Sequence, residues 1–310
     1  MSKYDYLIKQ LDKLQTEQPH PKSANIDLLD AAAITKLINS EDKTVAGVVE
    51  QALPVISQAA EKYAETIRNG GRVFYVGAGT SGRLGVLDAA ECPPTFGTDP
   101  KQIIGIISGG YKTLTLSKEG VEDDIKAAKK DLAKHKVGKK DFVIGLAASK
   151  RTPYTLGALV YAKSQKAATC FISCNSIEND ERELLGSFMD IIITLPVGAE
   201  IITGSTRMKS GTAQKMALNM ISTTAMVLLG KTYGNLMVDL QVKSDKLAAR
   251  SRKILMNLFS IDIGVAEALL KKSGGSVKIA VVMKKLDCTK SAALQKLRSA
   301  GGFVRHIKST

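Results

Sequence analysis

The sequence has no tryptophan, and aromatic residues make up only 5% of its 310 residues. A surface that binds single-stranded nucleic acid by aromatic stacking is therefore not expected. Histidine occurs three times, at His20, His135 and His306, far apart and far from the motifs described below. This scarcity argues against a histidine-based metal site and against a Ser–His nucleophile.

Cysteines and long hydrophobic runs are also scarce. The cysteines include no Cys-x-x-Cys pair and are Cys92, Cys170, Cys174 and Cys288. They are typical of reduced core residues in an intracellular protein. The most apolar stretch, residues 216–230, is too short to span a bilayer, and the charged N-terminus does not resemble a signal peptide. We therefore expect a cytoplasmic protein with no membrane partner.

Positive charge is in excess and unevenly distributed. The chain carries 44 Lys and Arg against 30 Asp and Glu, a formal net charge of +14. Residues 241–310 alone hold 15 Lys and Arg against 4 Asp and Glu. Such a segment could attract an anionic partner, or could be the solvated face of a small helical domain. The second interpretation is favoured, and no nucleic-acid partner is expected, because only Phe259 and Phe303 are aromatic there and no nucleic-acid-binding motif is present.

Short apolar runs alternate with helical stretches through the middle of the chain. The runs are residues 73–76, 103–107, 142–146, 168–173 and 191–195. The helical stretches between them are residues 82–90, 121–135, 153–165 and a segment near 181–185. This alternation predicts an α/β fold with a doubly wound, five-stranded parallel sheet that is flanked by helices and buried on both faces.

Helical patterns also precede and follow this region. Residues 28–69 have helical periodicity, with a break expected at Pro54 and an end at Gly70–Gly71. A long helix is expected over residues 206–229, and residues 264–302 predict a compact three-helix unit. We place a boundary near Leu240, which predicts a catalytic domain over residues 1–240 and a small basic helical domain over residues 241–310.

The loop "GAGTSG" follows the first apolar run. Its glycines fit a dinucleotide-binding loop, but no acidic residue follows the second run to hold a ribose. A P-loop is excluded because Arg83 and Leu84 replace the required Lys-Ser/Thr pair. Thr80 and Ser81 instead place two hydroxyls beside backbone amides at a helix N-terminus, which suits a phosphate monoester.

A second hydroxyl-bearing loop follows the third run, with Ser149 and Thr152. Either residue could simply cap the helix that starts at Pro153. Two such loops after parallel strands favour a phosphate site, although one hydroxyl can serve both purposes. Ligands of parallel sheets bind beyond the carboxyl ends of the strands, which is where both loops are expected.

The carboxylate Glu91 precedes Cys92, Pro93 and Pro94. The two prolines predict that the helix starting at the glycine-rich loop ends there. A carboxylate at a helix C-terminus faces the negative end of the dipole, where Lys or Arg would be more stable. Glu91 also lies one helix length from a phosphate loop, so it is a candidate general acid or base. The alternative interpretation is that Glu91 is a solvated surface glutamate with no catalytic role.

A second acidic segment, "SKEGVEDDIKAAKK", contains Glu119 and Glu122. Acids in the first helical turn and lysines later are what the helix dipole favours, so the pattern by itself favours a structural role. The segment nevertheless follows the second run, which brings it to the same sheet edge as the hydroxyl loops.

Together these residues resemble the N-acetylmuramic acid 6-phosphate etherases, a family with the sugar-isomerase (SIS) fold. The resemblance runs from about residue 20 to the C-terminus and is most specific in "GTSGRLGVLDAAECPPTFG" and "ITGSTRMKSGTAQK", with further matches in "EGVEDD" and "GLAASKRTPYTLGAL". Glucokinase regulatory proteins share the signature but are about twice as long, so chain length favours the etherase. A non-catalytic phosphosugar-binding regulator of that kind, and a sugar-phosphate isomerase of the same fold, are the alternatives.

The resemblance implies cleavage of the D-lactyl ether of N-acetylmuramic acid 6-phosphate, giving N-acetylglucosamine 6-phosphate and D-lactate in peptidoglycan recycling. It implies a homodimer that needs no cofactor and no metal. The catalytic residues it implies are Glu91, as proton donor to the departing lactate, and Glu122, as base, with Glu119 as the alternative if the alignment is shifted. The implied substrate-binding residues are Thr80, Ser81, Ser149, Thr152 and Glu200.

One departure from the family pattern lies in the second hydroxyl loop, where Lys150 replaces the usual glycine. A side chain there either requires unusual backbone geometry or places a positive charge beside the phosphate. Because neither catalytic glutamate is affected, we expect activity to be retained.

Overall fold

The computed structural model describes residue 5 and residues 8–9, 11–240 and 244–308. The chain divides into two compact units. The first is made of Met1–Ala89 and Gln102–Ser222, and the second of Ala90–Lys101 and Thr223–Thr310. Residues 241–243, where the second domain is predicted to begin, lie outside the described residues, and the predicted domain boundary stays a prediction.

The first unit contains the five-stranded parallel sheet. Its strands are β1 (Val73–Gly77), β2 (Ile103–Ile107), β3 (Phe142–Leu146), β4 (Ala168–Ser173) and β5 (Ile191–Thr194). They are arranged in the order β2–β1–β3–β4–β5, and every neighbouring pair is parallel. Nearly every strand residue is buried, as expected of a sheet covered on both faces. The predicted fold is confirmed, and each strand matches its predicted run to within one residue.

Helices precede, connect and follow these strands. They are α1 (Ala31–Gln51), α2 (Leu53–Arg68), α3 (Gly79–Phe96), α4 (Ile125–Lys134), α5 (Pro153–Ser164), α6 (Asn179–Gly186) and α7 (Lys209–Leu228). The predicted break at Pro54 is confirmed: α1 and α2 meet at Ala52, and Pro54 lies in the first turn of α2, where a missing N–H costs little. Gly70 has φ +72° just after α2, and the Gly71 N–H donates to the Thr66 carbonyl at 2.9 Å, which closes the helix end.

The prediction that α3 ends before Pro93 is wrong. The helix continues through both prolines to Phe96, and the Gly97 N–H donates to the Pro93 carbonyl at 3.0 Å. The φ of proline is close to that of a helix, so the backbone continues as a helix although Pro93 and Pro94 lack N–H donors. The helix ends instead at Gly97, which has φ +64°. Glu91 is therefore inside the helix and not at its C-terminus, so the negative end of the helix dipole does not single it out as an acid or base.

Part of the core of the first unit lies between the sheet and helices α4 and α5. Phe74, Val143 and Phe171 pack with Leu132 of α4 and Leu159 of α5, and all five are fully buried. Gly145 of β3 allows this close approach, because a Cβ there would lie 2.7 Å from Leu159. The strand ends, and the loops that follow them, are thus fixed by a tightly packed layer.

The described residues of the second unit form four helices of their own and a short hairpin. The helices are α8 (Asp245–Phe259), α9 (Ile263–Ser273), α10 (Val277–Leu286) and α11 (Lys290–Ser299). The predicted three-helix unit is confirmed as α9–α11, and each of these helices starts with a side-chain cap, from Asp262, Ser276 and Thr289 respectively. The two-residue strands β6 (Thr232–Tyr233) and β7 (Leu236–Met237) pair antiparallel and were not predicted. Within the described parts of both units, every helix is too short or too polar to cross a lipid bilayer.

Candidate active site

A cavity of about 320 Å³ opens at the carboxyl edge of the sheet in the first unit. Loops after β1, β2 and β3 form most of its wall, with residues 78–83, 108–122 and 148–152 contributing. In the order β2–β1–β3–β4–β5, strand β2 is added on one side of β1 and strands β3 to β5 on the other, so the strand order reverses between β1 and β3. Ligands of open α/β sheets bind at such a switch point. The topology therefore makes this cavity the expected ligand site.

The β1 loop turns directly into α3. A Cβ on Gly82 would lie 2.6 Å from the Gly77 carbonyl oxygen, so the close turn requires glycine at this position. The turn places Thr80 and Ser81 in the first turn of α3, where unpaired amides and the positive end of the helix dipole favour an anion. The Ser81 hydroxyl donates to Gln214 Oε1 at 2.8 Å, whereas the Thr80 hydroxyl has no hydrogen-bond partner among the described residues.

The β3 loop brings Ser149 and Thr152 to the same cavity. Thr152 occupies the N-cap position of α5, but its side chain makes no capping hydrogen bond, and Pro153 follows it. Ser149 likewise has no side-chain partner among the described residues. The capping alternative is therefore not supported for Thr152, and the hydroxyls of Thr80, Ser149 and Thr152 are left available to a ligand.

The β2 loop carries Glu119 and Glu122 into the cavity wall. The buried Ser108 hydroxyl donates to the Val121 carbonyl at 2.5 Å, beside the half-buried Glu122. Earlier in the loop, the Arg83 guanidinium donates to the carbonyls of Thr113 at 2.6 Å and Leu114 at 3.1 Å. These contacts hold the acidic segment against the start of α3, so carboxylates and hydroxyls share one cavity.

Two predicted site residues do not line this cavity. Glu91 belongs to the second unit and its side chain is exposed. Glu200 is fully buried; its carboxylate accepts hydrogen bonds from the backbone amides of Lys209 and Ser210 at 2.9 Å each, and from the Ser210 hydroxyl at 2.8 Å. Glu200 thus neutralises the positive end of the α7 dipole and fixes the start of that helix. Their predicted roles toward substrate stay predictions.

Lys150 has the unusual backbone geometry predicted for it, with φ +57°. Its Nζ atom donates to the Ser176 carbonyl at 2.9 Å and to Glu181 Oε2 at 2.6 Å. This ammonium group is therefore paired within the chain, and it is not among the groups that line the cavity.

Several cavity residues were missed by the sequence analysis. Arg83, Ser108 and Thr113 lie in loops that the strand pattern had already placed at this edge, so their positions could have been inferred. Glu17 gives no such signal, because it precedes the first long helix and reaches the cavity only through tertiary packing. Among the described residues, no group of three or more His, Cys, Asp and Glu side chains is arranged to hold a metal ion.

The chain is similar to known proteins over nearly all of its length. Residues 55–163 match the family model described as the glucokinase regulatory protein N-terminal SIS domain. The chain is 48% identical over 298 residues to the N-acetylmuramic acid 6-phosphate etherase of Glaesserella parasuis, covering 96% of each protein. It is 47% identical to the protein of that name from Oceanobacillus iheyensis, covering 96% of this chain and all of the relative. A solved structure of a phosphoheptose isomerase from Neisseria gonorrhoeae aligns at 15% identity with a TM-score of 0.45, covering 63% of this chain and 98% of that one.

Proposed function

The chain belongs to the N-acetylmuramic acid 6-phosphate etherase family, and on that premise we propose that its etherase reaction takes place in the cavity at the carboxyl edge of the sheet. It is an enzyme that cleaves the D-lactyl ether of N-acetylmuramic acid 6-phosphate. The products are N-acetylglucosamine 6-phosphate and D-lactate. One observation carries the location: hydroxyl loops suited to a phosphate and the carboxylate proposed as the base, Glu122, line the same cavity at the switch point of the sheet.

The phosphate group is held by the two hydroxyl loops. Thr80, Ser149 and Thr152 donate their free hydroxyls, and the first-turn amides of α3 donate beside them. Ser81 supports this arrangement through its hydrogen bond to Gln214. Glu200 contributes indirectly to the binding site, because it fixes the start of α7 at Lys209. Thr206, three residues before this start, lines the cavity. Anchoring the phosphate fixes the sugar carbons relative to the carboxylates, and such positioning is a major part of catalysis.

The chemistry requires a base and an acid. In the ring-opened sugar the aldehyde acidifies the proton on C2, and Glu122 removes that proton. The electron pair forms a C2–C3 double bond, the C3–oxygen bond breaks, and the departing lactyl oxygen takes a proton from the acid. Water then adds across the double bond, with its hydroxyl on C3 and a proton on C2. We assign the acid to Glu91 on the "AECPPT" motif alone.

Lactate release by the wild type and by Glu91→Gln, Glu122→Gln and Glu119→Gln tests this assignment. Loss of a general acid or base slows turnover about 10²- to 10⁴-fold, so the first two variants should lose that much while still binding N-acetylglucosamine 6-phosphate. The control Asp123→Asn alters an exposed neighbour that does not line the cavity and should retain full turnover. Loss in Glu119→Gln but not in Glu122→Gln would move the base to Glu119. Tight phosphosugar binding with no lactate from the wild type would instead favour a non-catalytic regulator.

From family membership we further propose that the enzyme is a homodimer, that it is cytoplasmic and that it acts in peptidoglycan recycling. Sedimentation equilibrium tests the dimer: a monomeric mass at micromolar concentration would contradict it.

A further inference from the structure

The N-terminal segment, meaning residues 11–30 before the first long helix, is tied firmly to the cavity wall through residues 14–17. Leu14 and Thr16 are fully buried. The Thr16 amide donates to Asn175 Oδ1 at 3.3 Å, Asn175 Nδ2 donates to the Thr16 hydroxyl at 3.0 Å, and the Gly204 amide donates to the Thr16 carbonyl at 3.1 Å. Asn175 Nδ2 also donates to the Ala148 carbonyl at 2.9 Å, next to the hydroxyl loop at Ser149. The position of residue 17 is therefore fixed by contacts of its neighbour Thr16 to the loop after β4, at Asn175, and to the loop before α7, at Gly204.

This anchoring places the half-buried carboxylate of Glu17 in the cavity. A Cβ on Gly204 would lie 2.9 Å from Glu17 Oε2, so a glycine there leaves room for the carboxylate. Among the described residues, Glu17 forms no side-chain hydrogen bond and no ion pair. A partly desolvated carboxylate without donors gains free energy when a ligand supplies them.

The chemistry of the ligand decides what this carboxylate can contact. It repels a phosphate group, so it cannot belong to the hydroxyl set that holds the phosphate. The uncharged donors of an amino-sugar phosphate are its hydroxyls and its amide N–H. We propose that Glu17 is a substrate-binding residue that accepts a hydrogen bond from one of these donors, an inference that rests on the proposed phosphosugar function.

The test compares the wild type with Glu17→Ala, Glu17→Gln and Glu17→Asp. Lactate release gives KM and kcat, and calorimetry gives Kd for N-acetylglucosamine 6-phosphate, glucose 6-phosphate and inorganic phosphate. Asp27→Asn is the matched control, because it removes one exposed negative charge from the same N-terminal segment outside the cavity. Thermal melting of each variant checks the fold, and Glu17→Gln preserves the side-chain volume if the alanine variant melts early.

A lost hydrogen bond to a charged acceptor predicts that Glu17→Ala raises KM and the Kd of N-acetylglucosamine 6-phosphate about tenfold or more. The value of kcat should stay within about twofold of the wild-type value, because the lost contact binds the ground state and the transition state equally. Glu17→Asp should recover part of the affinity. Inorganic phosphate should bind as in the wild type. An equal loss with glucose 6-phosphate identifies a hydroxyl as the donor, and a loss confined to the acetylated sugar identifies the amide. Unchanged KM and Kd, or an equal loss of phosphate affinity, would overturn the inference. A wild type that binds these sugars but releases no lactate would refute the etherase proposal while leaving the calorimetric test of Glu17 intact.

Discussion

The buried carboxylate of Glu41 on α1 should make the stability of the protein depend on pH in a defined interval. It lies 3.0 Å from His20 Nε2, 3.0 Å from Lys22 Nζ and 3.2 Å from Lys209 Nζ. Burial raises the pKa of Glu41, but hydrogen bonds from Lys22, His20 and Lys209 more than offset this and lower it from 4.5 to about 2. The cluster joins the N-terminal segment to the start of α7.

The sign of the pH effect follows from the lowered pKa. The ionised form is favoured in the folded state, so the stabilisation is fully present above pH 4.5 and is lost as pH falls toward 2. At about 1.4 kcal/mol for each pKa unit, the pH-dependent part is roughly 3 kcal/mol at neutral pH and roughly 1 kcal/mol at pH 3. The Glu41→Gln variant lacks this contribution at every pH.

Urea unfolding of the wild type and Glu41→Gln between pH 7 and pH 3 measures the effect. The difference in unfolding free energy between the two proteins should shrink by about 2 kcal/mol across that range. Glu50→Gln, an exposed carboxyl on the same helix, is the control and should show no such pH dependence relative to the wild type. A difference between wild type and Glu41→Gln that stays constant from pH 7 to pH 3 would refute the assignment.

Three further substitutions test how the site is held. Arg83→Met removes the hydrogen bonds that fix the acidic loop, so lactate turnover should fall about tenfold with little change in melting temperature; unchanged turnover would show that the loop does not need them. Asp88→Ala removes the buried acceptor of hydrogen bonds from Tyr75, Asn219 and Ser222 and should lower the unfolding free energy in urea by about 3 kcal/mol or more. A loss below about 1 kcal/mol would contradict this. Lys150→Gly relieves a positive φ but breaks the ion pair with Glu181, so the free energy of unfolding should change by less than about 1 kcal/mol. The affinity for N-acetylglucosamine 6-phosphate should change by less than about twofold, and a large loss of this affinity would mean that the lysine contacts the ligand.

The sheet was predictable because its strands are buried on both faces. A run such as residues 142–146 can then be apolar throughout, and turn residues mark its ends. Because ligands of parallel sheets bind beyond the carboxyl ends of the strands, the loops after the apolar runs are the predicted place for chemistry. Thr80 and Ser149 follow from this reasoning, whereas Glu122 follows from the family resemblance, and the structure brings all three to one cavity.

What escaped prediction depends on tertiary packing or on weak local signals. Glu17 and Glu41 reach their positions through contacts to residues more than a hundred positions away in sequence, such as Asn175 and Lys209. The continuation of α3 through Pro93 departs from the rule that proline breaks a helix, because the φ of proline itself suits a helix. The hairpin of β6 and β7 carries a turn signal in Gly234, with φ +59°, but its two-residue strands are too short for a periodicity argument.

The most direct test of the central claim is a crystal structure with bound N-acetylglucosamine 6-phosphate. We expect the phosphoryl group within hydrogen-bond distance of the hydroxyls of Thr80, Ser149 and Thr152, with the sugar carbons extending toward Glu122. A phosphoryl group bound elsewhere, for example in the lysine-lined depression near Lys139 and Lys166, would contradict it.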